Sequence, residues 1–147
     1  MQVTLSDTVK QFRYALDQLD WGAMPMGFHN FPSGTCGDIS DILANYLRSR
    51  GIEEIEYVCG TFPDGKNHAW LEVCGYIVDI TADQFPDVSQ SVIVTSASPW
   101  HEKLAVKKRR KAGFIVRADT PVTAYLNRVY NAALDVLQRS SQPVGSN

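Results

Sequence analysis

Several things are scarce in this sequence, and each scarcity closes a class of function. No apolar run approaches the ~20 residues that a bilayer-spanning helix needs, so no membrane association is expected. The opening stretch MQVTLSDTVKQ has no apolar signal core, so no export signal of the secretory type is expected either; a specialised secretion system would need none. The formal net charge is only -2 over 147 residues, which gives no global pull toward nucleic acid or an anionic surface. Cysteine is limited to Cys36, Cys59 and Cys74, an odd number with no CxxC pair, which argues against a zinc knuckle or a dithiol redox motif. A reduced, cytoplasmic setting is the simplest reading. No Gly-rich loop of the phosphate-cradling kind is present, so an acyl-CoA donor has no recognisable seat. No cofactor or metal is expected.

What remains is ordinary for a soluble globular protein: 44% hydrophobic and 20% charged residues, with no internal repeat and no domain boundary. The length suits one domain, expected over 1–139, followed by a disordered tail over 140–147 (SSQPVGSN). Val9, Phe12, Leu16 and Leu19 recur at helical spacing, predicting a first helix capped by Ser6 or Asp7 and running to about Asp20. Residues 22–35 (GAMPMGFHNFPSGT) are rich in Gly and Pro and read as a loop. Ile39, Ile42, Leu43, Tyr46 and Leu47 mark a second helix, with Arg48 and Arg50 near its end and Gly51 as its stop.

Three strand-like runs follow, over 55–62, 68–73 and 76–81, and Val92 to Thr95 makes a fourth apolar run. Gly113 to Val116 reads as a further strand. Asp119 or Thr120 caps a last helix with Pro121 at its first position. The order of helix, helix, strands and helix predicts an α+β domain.

Cys36 stands where a reactive thiol is favoured. It follows a Gly/Pro loop and opens a helix, whose free N–H groups and positive dipole end stabilise a thiolate. The same amides can hold an oxyanion, and Gly37 leaves room for a carbonyl to approach. Asp38 in the first turn would oppose the thiolate unless it points away and caps the helix. A thiolate nucleophile needs a proton shuttle, for which histidine is suited near neutral pH. His68 begins the apolar strand NHAWLEV, and the next strand, YIVDIT, carries Asp79. With Cys74 and Gly75 as the turn, Val73 pairs Tyr76, so Asp79 falls opposite Trp70 and diagonally from His68, roughly 7–8 Å away and on the same sheet face. That arrangement predicts an orienting bond from Asp79 to the imidazole. His29 and His101 read as loop or surface residues, His29 being a minor rival base by its nearness to Cys36. Cys59 and Cys74 read as small core or turn residues, and Trp70 as core that could also line a groove.

The segment GTCGDISDILANYLRSRGIEEIEYV, then NHAWLEV, then YIVDITADQF resembles the core of the transglutaminase-like superfamily, within the papain-like cysteine enzymes. The resemblance covers about Phe31 to Phe85. It implies a nucleophile helix packed on an antiparallel sheet, with Cys36 as nucleophile, His68 as general base and acid, and Asp79 as orienter. Papain-like enzymes also place an amide upstream of the nucleophile for the oxyanion, and Asn30 is the nearest amide here.

Three functions are therefore open. The first is a thiol hydrolase of amide carbonyls, a peptidase or glutamine deamidase acting on a protein or peptide. The second is an acyltransferase or transglutaminase with the same triad. The third is a non-catalytic binding module that uses the basic run Lys107, Lys108, Arg109, Arg110 and Lys111 to dock an acidic partner, nucleic acid included. The plain reading of that run is a solvated face.

Overall fold

The structure is a computed structural model that describes residues 4–140. Residues 141–147, most of the stretch expected to be disordered, lie outside the described residues. Ser140 itself closes the last helix. In chain order the elements are α1 (Leu5–Asp17), α2 (Cys36–Ser49), β1 (Ile55–Thr61), β2 (Asn67–Val73), β3 (Tyr76–Asp79), β4 (Ile93–Thr95), α3 (Pro99–Glu102), β5 (Ala105–Lys111) and α4 (Pro121–Ser140). This is an α+β fold around one five-stranded antiparallel sheet, in the order β4-β3-β2-β1-β5. Among the described residues no helix is long and apolar enough to cross a membrane.

The helices form where apolar spacing and caps agree, with two boundary corrections. Thr4 caps α1 in place of Ser6 or Asp7, its Oγ1 accepting the Asp7 N–H at 3.1 Å. The helix accordingly begins at Leu5, and it stops at Asp17, short of Asp20. α2 ends as expected, with Arg48 in its last turn and Gly51 in the left-handed region at φ 88°. In α4, Thr120 caps the helix by accepting the Thr123 N–H at 3.1 Å.

The β2–β3 hairpin has the expected register: Val73 pairs Tyr76 and Leu71 pairs Val78. Cys74 and Gly75 both adopt positive φ, 50° and 85°, the twist that a two-residue hairpin turn demands. Alternation then sorts the side chains. Ala69, Leu71, Val73 and Val78 join the main core with α1, α2 and α4. Trp70 and Ile77 face the other way, into a smaller cluster with Val58, Leu104, Phe62 and Trp100. His68 and Asp79 share the parity of this second face.

A strand at Gly113 to Val116 does not form. The backbone there is bonded to α2 instead: Asp41 accepts the Gly113 N–H, and the Asn45 side chain bonds both N–H and C=O of Phe114, all at 2.9–3.0 Å. The strand is the basic run itself, β5, which pairs with β1 at the sheet edge. Arg109 is engaged by Glu56 and Glu72, and Arg110 by a two-pronged bond to Asp41 while lying over Tyr57. Lys107, Lys108 and Lys111 have no ion pair among the described residues. Lysines on an exposed edge keep it from pairing with other chains.

One buried cation ties the layers together. Arg13 of α1, with 8% of its side chain exposed, grips both Asp83 oxygens at 2.9 Å and donates to the Ile80 and Ser91 carbonyls. It thereby fixes the chain on either side of Ala82–Gln84, a 3-10 turn that borders the site below. We expect Arg13→Met to lower stability by about 3 kcal/mol, since it strands a partly buried carboxylate and a buried carbonyl. The urea unfolding midpoint checks this, and an unmoved midpoint contradicts it.

Candidate active site

Cys36 occupies the first position of α2, half-buried, with Thr35 before it. Thr35 does not cap the helix; its hydroxyl donates to the Pro32 carbonyl at 2.9 Å and holds the preceding loop in place. Among the described residues, the first N–H groups of α2 have no side-chain cap at the sulfur's own end. The His68 side chain and the backbone N–H of Ala69 lie near enough to the sulfur to stabilise its charged form. Burial pushes this thiol up, but the His68 bond and charge, with the Ala69 N–H, outweigh it and hold the group below its ordinary value.

His68 is fully buried at the start of β2. Its Nε2 donates to Asp79 Oδ2 at 2.6 Å, which leaves Nδ1 for the thiol. Burial pulls the imidazole down. The bond and charge of Asp79, then those of Cys36, override it and push the group up to about 9. Phe85 and Trp100 present ring edges to the imidazole at centroid distances of 5.2 and 5.5 Å, so water is excluded from its faces. Asp79, 2% exposed, sits at the end of β3. Its Oδ1 accepts the Thr81 N–H at 2.9 Å. Burial pushes the carboxyl up, yet the bonds from His101 and His68 hold it well below the usual carboxylate range.

The structure therefore brings Cys36, His68 and Asp79 together. It does not do the same for the other candidates. Asn30 is exposed in its loop, with its carbonyl accepting from Ser33, and no bond of its amide reaches the site among the described residues. Trp70 is 2% exposed and packs behind His68 at 6.1 Å, so it is core and not a groove wall. Gly37 leaves room for a protein group: a Cβ there would meet the Tyr57 hydroxyl at 3.1 Å. Asp38 caps nothing; burial and the charge of Asp41 push its carboxyl up. His29 is exposed, its Nε2 bonded to the Met24 carbonyl.

Two residues that sequence reasoning passed over border the site. His101 is 3% exposed, which corrects its reading as a loop or surface residue. Its Nε2 lies 2.7 Å from the same Asp79 oxygen that His68 uses. Gln84 spans the gap between the nucleophile loop and the base: its Nε2 donates to the Thr81 carbonyl at 3.0 Å and lies 3.4 Å from His68 Nδ1, while its Oε1 faces the Gly34 N–H at 3.4 Å. The sequence signal for Gln84 is its place just past the Asp79 strand, in the quoted YIVDITADQF.

His68, Asp79 and His101 have the donor types of a metal centre and cluster closely. Their 2.6 and 2.7 Å contacts are those of charge-assisted hydrogen bonds. Two ligands of a tetrahedral zinc with bonds of about 2.0–2.1 Å would stand about 3.3 Å apart. A cleft of ≈ 720 Å³ lies between β4, residues 87–90 and Trp100, but Cys36 and His68 do not line it.

No family model matches this chain, and neither a curated protein nor a solved structure matches it.

Proposed function

We propose that the chain is a cysteine-dependent hydrolase of amide carbonyls, a peptidase or glutamine deamidase, with Cys36 as nucleophile, His68 as proton carrier and Asp79 as orienter. The observation that carries the reading is the grouping itself: Cys36 at the head of α2 beside a fully buried His68, whose Nε2 donates to Asp79 at 2.6 Å. The thiol is held below its ordinary value beside a buried imidazole pushed up to about 9, the two directions that favour a thiolate–imidazolium pair. The architecture of a thiol-bearing helix against an antiparallel sheet fits the transglutaminase-like superfamily that Phe31 to Phe85 resembles.

The chemistry follows from the positions. The Cys36 thiolate adds to the carbonyl carbon, and the oxygen becomes an oxyanion beside the unpaired amides at the head of α2. The C–N bond breaks as His68 gives its proton to the leaving amine or ammonia, leaving a thioester on Cys36. Water, deprotonated by the now neutral His68, attacks the thioester. The acid departs and the thiolate–imidazolium pair is restored. A docking role for β5, by contrast, has only three of its five basic residues to draw on, since Arg109 and Arg110 are engaged within the chain.

The test is product analysis by mass spectrometry of candidate proteins incubated with wild-type chain and with Cys36→Ala. A side-chain amide converted to acid identifies a deamidase, and backbone cleavage a peptidase. Ammonia loss with a new lysine link identifies acyl transfer to an amine. No wild-type-dependent change across a broad proteome would contradict the proposal.

The pair also predicts how stability depends on pH. His68 gains a proton on folding, so its contribution to stability is complete below the unfolded value of 6.5 and is lost as pH rises toward about 9, while Cys36, held below the unfolded thiol's 9.0, acts in the opposite sense. Between those values the two contributions oppose each other, so the net slope is shallower than His68 alone would give. Asp79, held low by its two imidazole bonds, contributes stability that is lost as pH falls below its unfolded value of 3.8. Urea titrations from pH 4 to 9, on the order of the window these values define, check the shape for the parent and Cys36→Ala; removing the thiol should steepen the loss above 6.5, and superimposable profiles contradict the pairing.

A further inference from the structure

His101 is a buried imidazole that the reaction above does not use, and its surroundings are too specific for a space-filler. It lies in α3, a helix of one turn whose cap is Ser98. The Ser98 Oγ accepts the His101 backbone N–H at 3.3 Å and lies 2.6 Å from Nδ1 of the same ring. Nδ1 is thereby occupied. A bare Nε2 lone pair facing a carboxylate would be repelled, so Nε2 carries the hydrogen and donates to Asp79 Oδ2 at 2.7 Å. Trp70 and Trp100 flank the ring edge-on at 5.0 and 4.8 Å and stop it from turning. An apolar side chain would fill this space without placing two ring nitrogens in a dry cluster, where each must find a partner.

The donor acts at the pivot of the site. Asp79 accepts three bonds, from Thr81, His68 and His101, which fix the plane of the carboxylate. We infer that His101, aimed by Ser98, is a positioning residue of the Cys36 site: its Nε2–H anchors the Asp79 oxygen that holds His68 and sets the pH range in which the Cys36 thiolate exists. This rests on the Cys36–His68 reading given above. The titratable groups facing His101 are Asp79 from β3 and His68 from β2. Trp70, Trp100 and Ser98 complete its shell, and Cys36 is reached through His68. A positive N–H end lowers the proton affinity of every group that faces it, so its removal raises them together. Both limbs of thiolate reactivity should then move to higher pH, which loss of packing alone would not produce.

The test needs no substrate. In a Cys59→Ser, Cys74→Ser background Cys36 is the sole thiol, and its rate of alkylation by iodoacetamide is followed against pH. His101→Leu is expected to move the acid limb up by about half to one pH unit, so that reactivity near pH 6 falls about three- to tenfold. Glutamine can present an N–H to the same oxygen, so His101→Gln should stay within about twofold of the parent. Ser98→Ala removes the partner of Nδ1 and so loosens the aim of Nε2–H at Asp79, and should move the limb in the same direction as His101→Leu. That milder variant carries the test if His101→Leu does not fold. A parent that reacts early with pH, but Leu and Ala variants that superimpose on it, overturns the role of His101 alone. A parent that reacts only near pH 9, as an ordinary thiol does, overturns the ion pair itself and the role of His101 with it.

Discussion

Replacing Cys36 by alanine is expected to abolish turnover, a loss on the order of 10⁶-fold in kcat, while the fold stays intact. The size of the effect comes from the division of labour at the site. In the proposed mechanism His68 and Asp79 carry and steer a proton, and Cys36 is the group that forms the covalent bond to the carbonyl carbon. The fold survives for local reasons. Cys36 is half-buried at the first position of its helix, where alanine is an excellent residue. A further consequence is visible without substrate. His68 loses the thiolate that helps to keep it protonated, so its proton should come off at lower pH than in the parent. NMR titration of the ring reads this, and an unchanged His68 titration, or retained activity, contradicts the assignment of the nucleophile.

The second large effect belongs to Asp79. Asparagine has nearly the same shape, yet Asp79→Asn is expected to lower kcat by about 10⁴-fold. The carboxylate takes N–H bonds from two imidazoles on one oxygen and a backbone N–H on the other. An amide cannot satisfy that pattern: if its oxygen faces the imidazoles, its NH₂ meets the Thr81 N–H, and if it is turned, the NH₂ meets two ring N–H groups. In the second arrangement His68 escapes the clash by moving its hydrogen to Nδ1. That nitrogen must accept the thiol proton, so the wrong tautomer blocks thiolate formation. Asp79→Ala removes the conflict but leaves two buried ring N–H groups without an acceptor, and should cost about 3–5 kcal/mol in stability as well. The two variants therefore separate chemistry from folding. Near-parental iodoacetamide reactivity of Asp79→Asn at pH 6–7, roughly two to three units below an ordinary thiol, contradicts the orienting role.

Much of the site was legible because local rules governed it. A Gly/Pro loop running into a periodic apolar stretch places Cys36 at a helix head, and the two-residue turn at Cys74-Gly75 sets the hairpin register. Once the register is fixed, the period of two decides that His68 and Asp79 share a face. The rest depended on pairings that no local pattern encodes. α3 is four residues long, too short for any apolar period, so nothing in the sequence separates His101 from a surface histidine. KKRRK has the composition of a solvated run, and only the free edge of β1 turns it into a strand. Residues 113–116 have strand-like residues, but α2 side chains captured their backbone first.

The sequence by itself determined the thiol at the head of α2 and the hairpin that sets an imidazole and a carboxylate on one sheet face, because turn chemistry and side-chain alternation act over a few residues. Tertiary structure alone decided which groups surround Asp79. His101 meets it from 22 positions away, the Ser98 cap turns that ring, and Arg13 fixes the chain beyond β3 from 70 positions away. Such contacts are chosen by the packing of α1 and α3 against the sheet, where a buried donor must find an acceptor wherever the fold provides one.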